Sequence, residues 1–168
     1  MGMGASLYSA IGAIVGVGAG LSLPALEAIR VRRALNLMAL SRLHEIVDVV
    51  NVSRQLADEA NAAICSADGP EVYFEEVCNW SQIEHALRNL EGIELGSISK
   101  RTNFAVVEAR RHVSAFFSLL GVAASEFQQT HEIPAGVVTK LATSYHGLLK
   151  NIDSIESECR RLERKCGT

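Results

Sequence analysis

Residues 138–166 read VTKLATSYHGLLKNIDSIESECRRLERKC and carry the clearest pattern in the chain. Apolar or small side chains recur there at alternating steps of three and four residues, and most positions between them are polar or charged. This spacing predicts a long amphipathic helix with a coiled-coil-like heptad seam, packed against a partner helix in the same chain or in another copy. The seam residues are Val138, Leu141, Tyr145, Leu148, Ile152, Ile155, Cys159, Leu162 and Cys166.

Two more segments have the same spacing. Residues 25–65 contain no glycine or proline, and their apolar seam predicts a second long helix. Residues 99–130 predict a third, with Ser99 or Thr102 as its N-cap, and a break before Pro134. Because the connection between the last two helices is short, we expect them to be antiparallel neighbours.

A shorter amphipathic segment lies between the second and third of these seams. Ser81 and Glu84 have the spacing of a capping box, which predicts that a helix begins there and continues to Gly92. The sequence therefore predicts an all-α fold in which residues 27–168 form an antiparallel helical bundle.

The N-terminal segment differs from the bundle, because residues 1–26 have no charged side chain. Its apolar run is long enough to cross a bilayer core of roughly 30 Å, and a single spanning segment must be helical. The first basic residues after it are Arg30, Arg32 and Arg33. By the positive-inside rule, they predict a single-pass membrane helix over residues 1–26, with the N-terminus outside and the bundle in the cytoplasm.

Two other interpretations of this segment stay open. A cleaved signal peptide would use Gly18 and Gly20 as the small residues before the cut, although a basic n-region is missing. A buried core helix of a soluble bundle would also accommodate a stretch of mixed glycine, alanine and aliphatic residues.

Glycines recur every fourth position in the same segment, at Gly12, Gly16 and Gly20. On a helix they form one stripe, where a second helix backbone can approach closely. We therefore expect this stripe to be a self-association face, which makes a homo-oligomer the expected state.

Composition and motifs indicate no catalytic, metal or cofactor site. The net charge is −3, and no basic face indicates a nucleic-acid partner. The five histidines and four cysteines lack the spacings of metal sites. No motif for a nucleophile or a phosphate-binding loop is present. We expect a protein that is not an enzyme and takes no small-molecule substrate.

The sequence thus favours a membrane-anchored scaffold or adaptor that contacts lipid and binds itself or another protein. The alternative is a pore-forming effector whose glycine-striped helix oligomerises. In its layout, an apolar N-terminal helix before a helical bundle, the chain is similar to helical cell-death bundles of the HeLo type, but it shares no motif with them and no family is assigned.

Overall fold

The computed structural model describes residues 3–66, 69–96 and 98–167, with side chains from residue 24 onward. Helices make up these ranges, and no strand occurs in them. The prediction of an all-α bundle is therefore confirmed. In chain order the elements are α1 (Met3–Ile64), α2 (Gly69–Val72), a turn of π-helix (Tyr73–Val77), α3 (Trp80–Glu91), α4 (Lys100–Thr130) and α5 (Ala135–Cys166).

The four longer helices run alternately up and down. Arg42 on α1 donates to the carbonyl of Glu94, just after α3, so α3 returns the chain to the level of residue 42. α4 then runs parallel to α1, and α5 comes back antiparallel to both. We call the end where α3 and α5 finish and α4 begins the basal end.

The core lies between α1, α4 and α5, with α3 covering one side of α1. Phe116 of α4 is fully buried at its centre and contacts Tyr145 of α5 with the two rings tilted by 45° and their centroids 6.2 Å apart. Fully burying one Leu or Ile side chain contributes roughly 1.5–3 kcal/mol, so the apolar stripes dominate the stability of the bundle. The largest buried side chains around it are Leu43, Ile46, Val50, Val113, Leu120, Leu148, Ile152 and Ile155.

The heptad seam of α5 faces α4 and α1 of the same chain. Val138 and Tyr145 are half-buried. The other seam residues are buried, namely Leu141, Leu148, Ile152, Ile155, Cys159, Leu162 and Cys166. The partner helices that the spacing requires are therefore internal, and the seam is already occupied within one chain.

Helix caps agree with the sequence at α4 and differ at α3. Ser99 is the N-cap of α4, and its side chain accepts from the backbone N–H of Thr102. The prediction that α3 begins at Ser81 is wrong, because Asn79 is the N-cap and accepts from the N–H of Gln82. Asn79 has an extended backbone, and an asparagine oxygen caps as well as a serine hydroxyl, so the helix begins two residues earlier.

The membrane prediction falls almost wholly on residues whose side chains are not described. Residues 1–23, with the whole stripe of Gly12, Gly16 and Gly20, lie outside the described side chains. Among the residues that the structure describes, no helix combines the length and apolarity needed to cross a bilayer. The spanning helix over residues 1–26 stays a prediction.

Candidate functional site: a basic cleft at the basal end

Helix α1 extends beyond the bundle at the basal end. Residues 24–39, which we call the stalk, include no buried side chain, and Leu40 is the first buried residue. At 1.5 Å per residue the stalk spans about 24 Å. Several of its large apolar side chains are exposed, at 43–66% of their surface: Leu26, Ile29, Val31, Leu35, Leu37 and Met38.

The three arginines of the predicted topology signal all lie on this stalk. Arg30, Arg32 and Arg33 are exposed, and none of them forms an ion pair in the described structure. Glu27 is the one acidic residue among residues 24–39. The stalk therefore combines exposed apolar side chains with a net positive charge.

The end of α5 brings two more cations to the stalk. α5 is antiparallel to α1 and ends at Cys166, where Gly167 adopts a left-handed conformation (φ 73°) and donates to the carbonyl of Glu163. Arg32 and Arg33 on one side, and Arg164 and Lys165 on the other, enclose an open cleft of about 620 Å³. Ile29, Asn36, Cys166 and Gly167 complete the walls of this basic cleft.

Among the described residues, none of those that line the basic cleft is acidic. A second cavity, of about 400 Å³ between the start of α4 and α5, is a useful contrast because acids line it together with cations. There Arg161 forms an ion pair with Glu158, and this hydrogen bond lowers the pKa of the Glu158 carboxyl. Charges in the second cavity offset one another, whereas those in the basic cleft add.

Arg164 and Lys165 also have a structural role. They lie in the last turn of α5, where the helix dipole is negative and basic side chains stabilise the helix end. Arg164 also contacts the carbonyl of Arg160, with a nitrogen–oxygen distance of 3.3 Å. This role explains the two α5 cations and leaves the convergence of Arg32 and Arg33 on them unexplained.

Three polar contacts between α1 and α5 fix the register that forms the cleft. Tyr145 donates to Asp58 at 2.8 Å. The other two contacts are Arg54–Glu156 at 3.9 Å and His44–Glu163 at 3.1 Å. Residue numbers decrease along α1 as they increase along α5 in these contacts, so the two helices are antiparallel. The last turn of α5 therefore lies beside the stalk.

The contact nearest the cleft includes a third ligand-type side chain. The thiol of Cys159 lies 3.8 Å from the Glu163 carboxylate, and the ligand atoms of His44, Cys159 and Glu163 lie within 4.8 Å of one another. Burial, together with Glu163, raises the pKa of the Cys159 thiol, which stays protonated and donates to the carboxylate. Structural zinc sites use four protein ligands, and this group has three among the described residues.

Sequence reasoning located one half of the cleft and missed the other. The arginines at 30, 32 and 33 stand out beside an uncharged segment, whereas Arg164 and Lys165 are two of the many charged positions between the seam residues of α5. Arg164 and Lys165 directly precede the seam residue Cys166, so the sequence already indicated that they lie at the end of the packed helix. The antiparallel direction of α5 relative to α1 places the last turn of α5 beside the stalk. This direction cannot be predicted from either segment alone.

Comparison with family models, with curated proteins and with solved structures finds no significant match to this chain. The stalk and the basic cleft are therefore the features of this chain that bear on its function.

Proposed function

We propose that this protein is a membrane-anchored scaffold, in which residues 1–26 span the bilayer with the N-terminus outside and the cytoplasmic bundle binds protein partners or other copies. The observation that carries the proposal is the stalk. It continues directly from the uncharged segment into the bundle, and its exposed apolar and basic side chains match a membrane surface.

We expect the exposed apolar side chains of the stalk to be shielded from water by another surface. Monomeric soluble proteins seldom expose contiguous apolar patches, and those that do use them to contact membranes or other proteins. Leu26, Ile29 and Met38 are 52%, 63% and 66% exposed, so exposed apolar side chains occur along the whole length of the stalk. Lipid headgroups and acyl chains would cover the apolar parts while the arginines contact phosphates.

A second exposed apolar surface supports the scaffold role. Phe104 on α4 is 67% exposed, and Val107, one turn further along the helix, is 43% exposed. Aromatic residues that are exposed on a rigid helix are typical anchors of protein–protein interfaces. This surface lies on the bundle, where a partner can reach it without displacing the core.

The topology can be tested with Cys65, which is exposed on the bundle. A membrane-impermeant maleimide should leave Cys65 unlabelled in intact cells and label it after the membrane is opened. A matched control is Gly2→Cys in a Cys65→Ser background, which places the thiol at the outer end of the spanning segment and should be labelled in intact cells. Labelling of Cys65 in intact cells, or release of the chain from membranes by alkaline washing, would refute the proposed anchor.

Dye retention separates a scaffold from a pore former. Liposomes that contain the reconstituted full chain should keep an encapsulated dye. Rapid dye release that depends on protein concentration would refute the scaffold proposal and would support a membrane-permeabilising effector.

A further inference from the structure

We propose that the basic cleft binds the phosphate group of an anionic phospholipid at the membrane surface. This inference deepens the proposed membrane attachment and rests on it. It assigns to the cleft a selectivity for anionic over neutral lipid, which an apolar anchor alone does not provide.

The charge of the cleft selects an anion. Two arginines of the stalk meet Arg164 and Lys165 across the cleft, and no acidic residue is present in the part of the lining that the structure describes. None of the four forms an ion pair within 4.0 Å of a described carboxylate, although Lys165 also acts at longer range on Glu158, so direct contacts of the four cations remain available to a ligand. Arginine guanidinium groups donate two parallel hydrogen bonds to the oxygens of a phosphate or a carboxylate, which favours an oxyanion over a chloride.

The other lining residues favour a lipid over a free phosphate. Ile29 is 63% exposed at the edge of the cleft, beside the cations. Asn36 adds an amide that can donate to a headgroup oxygen. An apolar side chain next to converging cations matches an amphiphile, whose phosphate and glycerol–acyl region lie side by side. The volume of about 620 Å³ lies within the range of small-ligand pockets.

The position of the cleft along α1 agrees with the depth of the lipid phosphates. Arg32 and Arg33 follow the predicted membrane segment by less than two helical turns, a rise of roughly 10 Å. The headgroup layer is roughly 5–8 Å thick on each side of the hydrocarbon core. Because arginine side chains extend along the helix, their charged ends can reach the phosphates from this position.

The test uses the full chain in micelles of a neutral detergent and titrates it with short-chain phosphatidylglycerol or phosphatidylcholine. Binding is measured by native mass spectrometry and by the thermal shift of the bundle. We expect phosphatidylglycerol to bind and phosphatidylcholine not to bind, with an affinity that falls as salt is added. The double variant Arg164→Gln/Lys165→Gln should bind roughly 30-fold more weakly, from the usual contribution of each basic residue near an anionic surface.

The matched control is Arg88→Gln/Lys140→Gln, which removes the same charge from exposed positions outside the cleft. It should bind like the wild type, and circular dichroism should show that both double variants keep their helix content. Equal binding by the two double variants would overturn the assignment to the cleft. Inorganic phosphate that binds as tightly as phosphatidylglycerol would overturn the lipid as the ligand.

The result is separable from the test of the anchor, because micelle binding does not require residues 1–26 to span a bilayer. If the chain stays in alkaline-washed membranes but does not bind phosphatidylglycerol, the cleft proposal alone is refuted. A chain that binds phosphatidylglycerol through the cleft and washes off membranes refutes the spanning segment alone.

Discussion

Gly147 shows how a single glycine makes room for a side chain between two packed helices, α4 and α5. It lies in the middle of α5 opposite His112 of α4. A Cβ atom at this position would lie 2.5 Å from both imidazole nitrogens, closer than real Cβ contacts. The absence of a side chain therefore leaves room for the His112 imidazole to pack against α5 at this level.

We expect Gly147→Ala to lower the free energy of unfolding, although alanine in a helix interior normally stabilises by about 1 kcal/mol relative to glycine. His112 must leave its position, and the expected net loss is about 1 kcal/mol, in the range for a modestly overpacked contact. Urea denaturation measures the difference. The control is Gly121→Ala in α4, where a Cβ meets nothing within 4 Å and the usual gain should be seen.

The His112→Ala change in the Gly147→Ala background should recover the loss, because it removes the side chain that the new Cβ meets. If Gly147→Ala stabilises the bundle as much as Gly121→Ala does, the close approach at this residue is refuted.

Tyr145 is a residue whose ionisation is linked to folding. Its hydrogen bond to Asp58, and then its burial, raise the pKa of the phenol in the folded protein. The protonated form is favoured by folding, so this stabilisation is complete below the unfolded pKa of about 10 and is lost as pH rises through the folded pKa.

We expect Tyr145→Phe to destabilise the bundle by about 1 kcal/mol at neutral pH, the usual contribution of such a hydrogen bond. The difference between the two proteins should shrink above pH 10, where ionisation of Tyr145 opposes folding. Thermal unfolding followed across this pH range measures both effects. A difference that stays constant with pH would contradict the hydrogen bond to Asp58.

At the scale of elements, the periodicity of the sequence predicted what is local. The α5 seam and the break before Pro134 agree with the structure because helix period and turn residues act over a few positions. The start of α3 was missed because two capping residues, Asn79 and Ser81, compete two positions apart. The register between α1 and α5 depends on contacts between opposite parts of the chain, and no local pattern encodes it.

The α5 seam makes a strong prediction. Leu148→Asp or Ile155→Asp should unfold the bundle, because each places an unpaired charge at a fully buried position, at a cost of several kcal/mol. Ser157→Asp is the control on the exposed face of the same helix and should be tolerated. Circular dichroism melts compare the three variants. Wild-type melting of the Leu148 and Ile155 variants would mean that the seam does not support the fold.

For the whole molecule, the structure restricts where copies can associate. The α5 seam is covered within one chain, so an oligomer would have to use other surfaces. The sequence offers one, the stripe of Gly12, Gly16 and Gly20, which stays a prediction because it lies outside the described side chains. The bundle was predictable from the sequence, whereas the complete basic cleft required the fold.

Changing Gly16 to Leu tests self-association through this stripe. The added side chain should block close helix approach and reduce the crosslinked oligomer in membranes, while it also raises hydrophobicity and so favours insertion. Val15→Leu adds similar bulk about 100° around the helix and should assemble normally. Unchanged crosslinking of Gly16→Leu, or a wild-type chain that is monomeric, would show that the stripe is not a contact face.

The antiparallel pairing of α1 with α5 also has a consequence for translation. α1 leaves the ribosome first, and its main partner begins only at Ala135. At 5–20 residues per second, roughly 4–14 s pass between the completion of α1 and the start of α5. During that interval Leu43, Ile46 and Val50 have no α5 to cover them. A nascent chain with a long, uncovered apolar helix is a substrate for chaperones and for delivery to a membrane before the bundle closes.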